Sequence, residues 1–318
     1  MRTVAALCLL GSVGLAHASF DVMFLPDTAT GRIVRFDPVN QVALGSFGPS
    51  GSVGFAGRYA SVIDPNRVAY TGSGGTVIYN PNNGEATQTG TIADTFTRAT
   101  MDGAGLLEAF NTSVYRYDLF LARTSVDTGL TTNNGLMPIG YNDFIAQGVN
   151  ASGDLVARRV TGMVPGATTT MLLASAINPT SFGASQGKFT GNTFRQHTVC
   201  LNAANQLRLM QVTVNLTSFA VTTSLNTFQL SNQFLATSKL SVVPAHAGYY
   251  VIGDDASNAA VTRIIYYGEQ GMPLANFTTT AVDVPTTTWG AGIILAPEPS
   301  SLGVFAVAGA MMLRRRRR

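Results

Sequence analysis

Four short stretches of this chain carry residue types that could do chemistry. GASQG (183–187) matches the G-x-S-x-G pattern that presents a nucleophilic serine, here Ser185. That pattern works only when a strand, a sharp turn and a helix hold the hydroxyl at the tip. No helical period follows Ser185, and no Asp or Glu occurs between 155 and 253, so a triad ending in His246 would lack its acid. GASQGK also falls one residue short of a phosphate-binding loop. His197 and Cys200 are three apart; on a strand they face opposite ways and cannot share a metal, whereas a helix would reverse that reading. GDDASN (253–258) gathers Asp254, Asp255 and Asn258 without the spacing or glycine of a calcium loop, and reads as a solvated hairpin turn. We therefore assign no catalytic residue and expect neither metal nor cofactor. Carboxylates brought together from distant segments could still cleave or eliminate glycosidic bonds, and sequence does not pair them.

The charge distribution offers one binding hypothesis. Leu155 to Gly253 contains no acid but holds Arg158, Arg159, Lys188, Arg195, Arg208 and Lys239. Adjacent Arg158 and Arg159 are the candidate contact for a polyanion such as acidic exopolysaccharide, against the simpler reading of scattered solubility charges. The formal charge of +3 comes from the ends: Arg2 and the five terminal arginines are six of 20 basic residues. Without them and Glu298 the body has 14 basic and 16 acidic residues, which argues against nucleic-acid binding. Sequons at Asn111, Asn215 and Asn276 carry no weight in this reading.

The elements that must position these residues are strands. An Asp/Asn turn between two apolar runs recurs in SVIDPNRVAY (61–70), ATMDGAGLLEAF (99–110), GVNASGDLVAR (148–158) and VCLNAANQLRL (199–209), and more loosely in VVPAHAGYYVI (242–252). The turn residues are Asp64, Asp102, Asn150 and Asn202, whose side chains bond the backbone two residues on. A third strand recurs in GRIVRFDP (31–38), GTVIYNP (75–81), TSVYRYD (112–118) and AVTRIIYY (260–267). Repeats of about 40 to 50 residues with several strands each predict a β-propeller of about six blades. Residues 176–198 fit no repeat and read as a long loop or a seventh blade. DVMFLPDTATGRIVRFDP (21–38) lacks the strand that should precede it, and WGAGIILAP (289–297) resembles that strand, so the two ends are expected to complete one blade. A pair of β-sandwiches is the alternative fold.

The ends carry an address. Arg2, the apolar run Val4–Leu15 and Ala16-His17-Ala18 form a signal peptide, with cleavage after Ala18 and a mature start near Ser19. Cleavage removes Cys8 and leaves Cys200 without a partner for a disulfide; TVCLN reads as a buried, inert setting for it. At the other end, Pro297-Glu298-Pro299 makes a stiff extended hinge. Uncharged Ser300–Leu313 follows, then Arg314, Arg315, Arg316, Arg317 and Arg318, a block that stays on the cytoplasmic side. An apolar run directly before a basic block is a stop-transfer pattern rather than a nucleic-acid-binding tail. This tripartite end resembles the PEP-CTERM sorting signal. The resemblance implies processing by exosortase, a membrane protease-transpeptidase, near Pro297-Glu298-Pro299, after transient inner-membrane insertion. Such proteins occur in bacteria that make exopolysaccharide. The 14 apolar residues would span only ~21 Å as a helix, short for a ~30 Å bilayer core. That suits a temporary anchor.

The sequence thus predicts a signal peptide (1–18), an all-β propeller-like domain (19–296) and a sorting tail (297–318) with a short hydrophobic helix. The expected role is non-enzymatic, in the cell envelope or outside the cell, with exosortase and signal peptidase as processing partners. A secreted propeller hydrolase or lyase acting on polysaccharide is the alternative. Carboxylates or histidines clustered on the ring axis would favour the enzyme.

Overall fold

The structure is a computed structural model. It describes the chain from Asp21 to Ala296, apart from 49–56, 73–74, 91–97, 102–105, 111, 118–122, 141–142, 164–167, 175–176, 184–186, 191, 203–206, 216, 219–220, 228–232, 236–239, 270 and 286–288. Among these residues every regular element is a strand. The first hairpins are β1 (Val22–Asp27), β2 (Arg32–Asp37) and β3 (Val42–Phe47), then β4 (Gly57–Asp64), β5 (Arg67–Gly72), β6 (Gly75–Tyr79) and β7 (Ala86–Gly90). Next come β8 (Arg98–Met101), β9 (Leu106–Phe110), β10 (Ser113–Tyr117) and β11 (Arg123–Asp127), followed by β12 (Thr132–Gly140), β13 (Asp143–Val149), β14 (Leu155–Thr161) and β15 (Thr168–Ala174). The chain continues through β16 (Ile177–Gly183), β17 (Gly187–Thr190), β18 (Thr193–Asn202), β19 (Leu207–Asn215) and β20 (Val221–Thr227). It ends in β21 (Ser241–Ala245), β22 (Gly248–Asp255), β23 (Asn258–Gly268), β24 (Pro273–Thr279) and β25 (Gly292–Ile294).

These strands form six antiparallel sheets among the described residues. Five run in chain order from the inside outward; the first has the order β25-β1-β2-β3, so its innermost strand comes from the far end of the chain. Innermost strands touch around the ring, β25 against β4, β4 against β8, β8 against β12 and β21 against β25. This is a radial array of blades, the propeller expected from the repeats. In the 176–198 stretch, the described residues are neither a loop nor a further blade. β16 and β17 pair in turn with the two halves of β18, so together they make one interrupted inner strand of the fifth blade.

Two features of the repeat differ from the sequence expectation. Each blade has a fourth, outer strand. β3 (VALGSF) and β24 (PLANFTT) are mostly exposed, and their apolar and polar residues do not alternate, so the period-two signal does not mark them. The Asp/Asn turns also do not share one phase. Asp64 joins the first and second strands of its blade, whereas Asn150 and Asn202 lie between the second and third strands of theirs. Successive hairpin turns lie at opposite ends of a sheet, so these residues sit on opposite rims. The local chemistry is nonetheless the one predicted. Asp64 Oδ1 accepts from the Asn66 N–H at 2.8 Å, and Asn150 Oδ1 accepts from the Ser152 and Asp154 N–H groups at 2.9 Å each. Asp102 lies outside the described residues.

The core is distributed between blades. Alternate residues of one strand feed two different clusters, because successive side chains leave a strand on opposite faces. Met23 and Leu25 join Val243, Tyr250, Ile252 and Trp289 between the sixth and first blades. Phe24, from the same strand, joins Phe47, Val68, Tyr70 and Tyr79 between the first and second. β22 is buried at all eight positions, with Tyr249 and Val251 on the cluster opposite to that of Tyr250 and Ile252. Burial on both faces explains why second strands read as unbroken apolar runs.

Candidate functional site: the clasp where the two ends meet

Three residues of β25 close the ring. Val22, Met23 and Phe24 pair with Ile294, Ile293 and Gly292. The closing segment is fixed to both neighbouring blades. The Ala60 N–H donates to the Gly290 carbonyl at 2.8 Å, and the Ala291 N–H donates to the buried Ser241 hydroxyl at 2.9 Å. A side chain at Gly292 would meet Val62 and the Ala60 carbonyl at about 3 Å, so glycine permits this close approach.

At the end of the clasp, Asp21 is only 5% exposed. Its Oδ1 accepts the Ala296 N–H at 3.0 Å and lies 3.0 Å from His246 Nε2, on the turn between β21 and β22. One carboxylate thus joins the first described residue, the last, and the sixth blade. Tyr250 packs nearby and stacks on Tyr266 with centroids 4.8 Å apart. Burial first, then the charges of Asp21, Tyr266 and Asp37, push the Tyr250 phenol well above its ordinary range. Asp37 is occupied locally, with Oδ1 accepting from the Val39 and Asn40 N–H groups at 2.9 Å each. A His–Asp pair can carry a proton, but here the same oxygen also holds a backbone N–H. Its evident work is to fasten the ends.

The opposite rim is built from carboxylates used structurally. Asp27 accepts from Thr30 through backbone and hydroxyl, and from the Asp283 N–H at 2.9 Å. Burial, then the charge of Asp27, raises the Asp283 carboxyl. Asp255 pairs with Arg263, which also donates to Asn276 Oδ1 at 2.7 Å and Gln233 Oε1 at 3.1 Å. The Ser257 hydroxyl, the Ser257 N–H and Arg263 together hold the Asp255 carboxyl below its ordinary range. GDDASN is the hairpin turn the sequence suggested, but not a solvated one throughout: Asp254 and Asp255 are buried and only the tip from Ala256 to Asn258 is exposed, while Asn276 is committed to this network.

Arg158 and Arg159 are drawn into internal bonds. Arg159 grips Asp143 with Nε at 3.1 Å and Nη2 at 2.6 Å, and this bond raises its already high pKa. Arg158 Nη1 donates to the Thr128 carbonyl. As neighbours on β14 they leave opposite faces, so they do not form one patch. Arg195 lies 3.7 Å from Glu269. Acids from outside the acid-free stretch therefore meet two of its six cations.

Ser185 lies outside the described residues, but strand, not helix, flanks it on both sides. β18 runs through His197 and Cys200, the backbone that the argument against a shared metal requires. Among the described residues no group of three or more His, Cys, Asp or Glu could hold a metal. Ala16, Ala18, Pro297, Glu298, Pro299 and Arg314 to Arg318 lie outside the described residues. Among the described residues no helix is long and apolar enough to cross a membrane. The clasp residues Asp21 and His246 are 225 positions apart and form no motif; sequence alone gave no signal for their meeting.

No family model matches the chain, and no curated protein matches it. Solved structures do. A protein of unknown function from Bacteroides caccae aligns over 87% of this chain and 99% of its own, at 10% identity and a TM-score of 0.53. A chain of the nidogen/laminin complex aligns over 87% and 99%, at 12% identity and a TM-score of 0.56. At these identities the likeness concerns the fold alone, and the fold it supports is the β-propeller.

Proposed function

We propose that this chain is an exported envelope or extracellular propeller, processed at both ends, whose working part is the ring between Ser19 and Ala296. The observation that carries the reading is the position of the clasp. The signal-peptide boundary precedes Asp21 by two residues and the Pro-Glu-Pro motif follows Ala296 directly, while Asp21 and Ala296 are hydrogen-bonded to each other. Both cuts would fall at one point on the rim, outside strands that already close the ring. The tail's resemblance to the PEP-CTERM signal supplies exosortase as the processing partner and the inner membrane as a transient station. The ring then serves non-enzymatic contact with a surface or exopolysaccharide matrix.

The test is the intact mass of the protein from its native host, taken separately from membrane and medium. The expected product starts near Ser19 and ends near Pro297. A chain still ending at Arg318, found only in membrane, would overturn processing at the tail. Contact with acidic polysaccharide is tested by replacing Arg158 and Arg159 with glutamine. Unchanged binding in low salt would remove them as the contact.

A further inference from the structure

Four large apolar side chains stand exposed among the described residues: Val39 (64%), Val42 (48%), Met272 (67%) and Leu274 (60%). The strand register puts all four at the same end of the ring. In the first blade, Val22 pairs with Ile294, Met23 with Phe36 and Asp37 with Val42, so the β2–β3 turn lies at the end where Ala296 leaves. In the sixth blade His246, bonded to Asp21, marks that same end, and the pairs Gly248–Gly268 and Tyr267–Pro273 bring the β23–β24 turn beside it. The two blades are neighbours through one shared core cluster.

Both turns are fixed in place. Asp37 accepts from the Val39 and Asn40 N–H groups, and the Gly268 N–H donates to the Met272 carbonyl at 2.9 Å. The β2–β3 turn carries no charge from Pro38 to Val42, and the β23–β24 turn carries one, the exposed Glu269, which lies 3.7 Å from Arg195. Rigid tips with exposed apolar side chains can enter a bilayer interface, with the Glu269 carboxylate left at headgroup depth in water. What covers them follows from where the chain leaves. Only Pro297-Glu298-Pro299 separate Ala296 from the apolar run Ser300–Leu313, and three residues reach at most about 10 Å.

We infer that the clasp rim of the first and sixth blades is a membrane-docking face, on which Val39, Val42, Met272 and Leu274 rest against the lipid surface while the tail is inserted. This rests on the tail being a membrane anchor. Docking would fix the orientation of the ring on the bilayer and hold the Pro-Glu-Pro segment at the interface, where a membrane protease acts.

The experiment uses the full chain with Cys8 and Cys200 replaced by serine, reconstituted in phosphatidylethanolamine–phosphatidylglycerol vesicles. Single cysteines at Val39→Cys, at Met272→Cys, or at Ala256→Cys on the opposite rim carry an environment-sensitive dye. Flotation of the vesicles reads the anchor, and quenching by headgroup-proximal spin-labelled lipid reads docking. Co-flotation, with a blue shift and quenching at 39 and 272 but not at 256, is the expected result. Co-flotation with no quenching at 39 and 272, or with equal quenching at all three sites, overturns the docking face and leaves the anchor standing. Dye self-quenching at 39 and 272 without lipid quenching assigns the face to a second copy of the chain and also overturns it. Failure to float removes the anchor and the inference with it. The double variant Val39→Glu/Met272→Glu alters only exposed positions. It should float as the parent does, with loss of quenching at a cysteine placed at Val42.

Discussion

At one rim of this ring Asp21 and Ala296 meet, and the turns around them present the exposed apolar side chains of Val39, Val42, Met272 and Leu274 beside a single exposed carboxylate, Glu269. At the other rim the corresponding turns are tied by carboxylates: Asp27 to Thr30 and the Asp283 backbone, and Asp255 to Ser257 and Arg263. Both rims are made of β-hairpins in the same six sheets. The difference teaches that strand periodicity builds the ring, while the turns decide what each rim can do. Buried carboxylates fasten turns at both rims, Asp21 and Asp37 at one and Asp27 and Asp255 at the other, but only the clasp rim adds exposed apolar side chains that water does not favour.

The strongest way to break the comparison lies at the clasp rim. A side chain at Gly248 would lie 1.9 Å from the Tyr267 carbonyl oxygen. Gly248→Val should destabilise by more than ~4 kcal/mol, read as loss of the cooperative thermal transition. Next comes Trp289→Ala, which empties the cluster shared by the first and sixth blades. It should cost ~3–5 kcal/mol in denaturant unfolding. A smaller loss there would mean that the seam collapses around the gap.

The opposite rim answers through its charges. Arg263→Ala leaves Asp255 buried beside Ser257 alone and should cost about 2–3 kcal/mol, with Arg263 one-fifth exposed. The pH dependence sharpens the contrast. Asp255 titrates below its ordinary value in the folded state, so its stabilisation is present above the unfolded value of about 3.9 and is lost as pH falls through the native value. Asp255→Asn should therefore flatten the acid limb of a stability–pH curve. The clasp rim responds at the other extreme. Burial raises Tyr249 and Tyr250 strongly and Tyr267 to about 12. Their contribution is intact below the unfolded value of about 10 and disappears as pH rises through the native values. Tyr249→Phe should then retain more of its neutral-pH stability at high pH than the parent. Equal alkaline limbs would refute this account.

Smaller effects separate fastening from surface. Asp21→Ala removes the acceptor for Ala296 and the partner of His246, at a cost of about 1–3 kcal/mol, and should speed hydrogen exchange at Ala296. Val39→Ser should change stability by less than about 0.5 kcal/mol while altering contact with lipid.

The sequence by itself determined the strands that carry aromatic alternation, such as GRIVRFDP and AVTRIIYY, and the Asx chemistry of Asp64 and Asn150. It also determined that the segment at 289–297 completes the blade begun at 21–38. These are local signals of periodicity, turn preference and a missing strand. The outer strands β3 and β24 were not legible, because most of their residues are exposed and nothing forces apolar and polar residues to alternate there. Nor was the phase of the turns, because an Asx turn looks the same on either rim. Tertiary structure alone decided that Asp21 meets His246 and Ala296, that Arg158 and Arg159 face apart, and that Val39 and Met272 share a rim. Each of these depends on strand register and ring closure, which join residues far apart in the chain without any local mark.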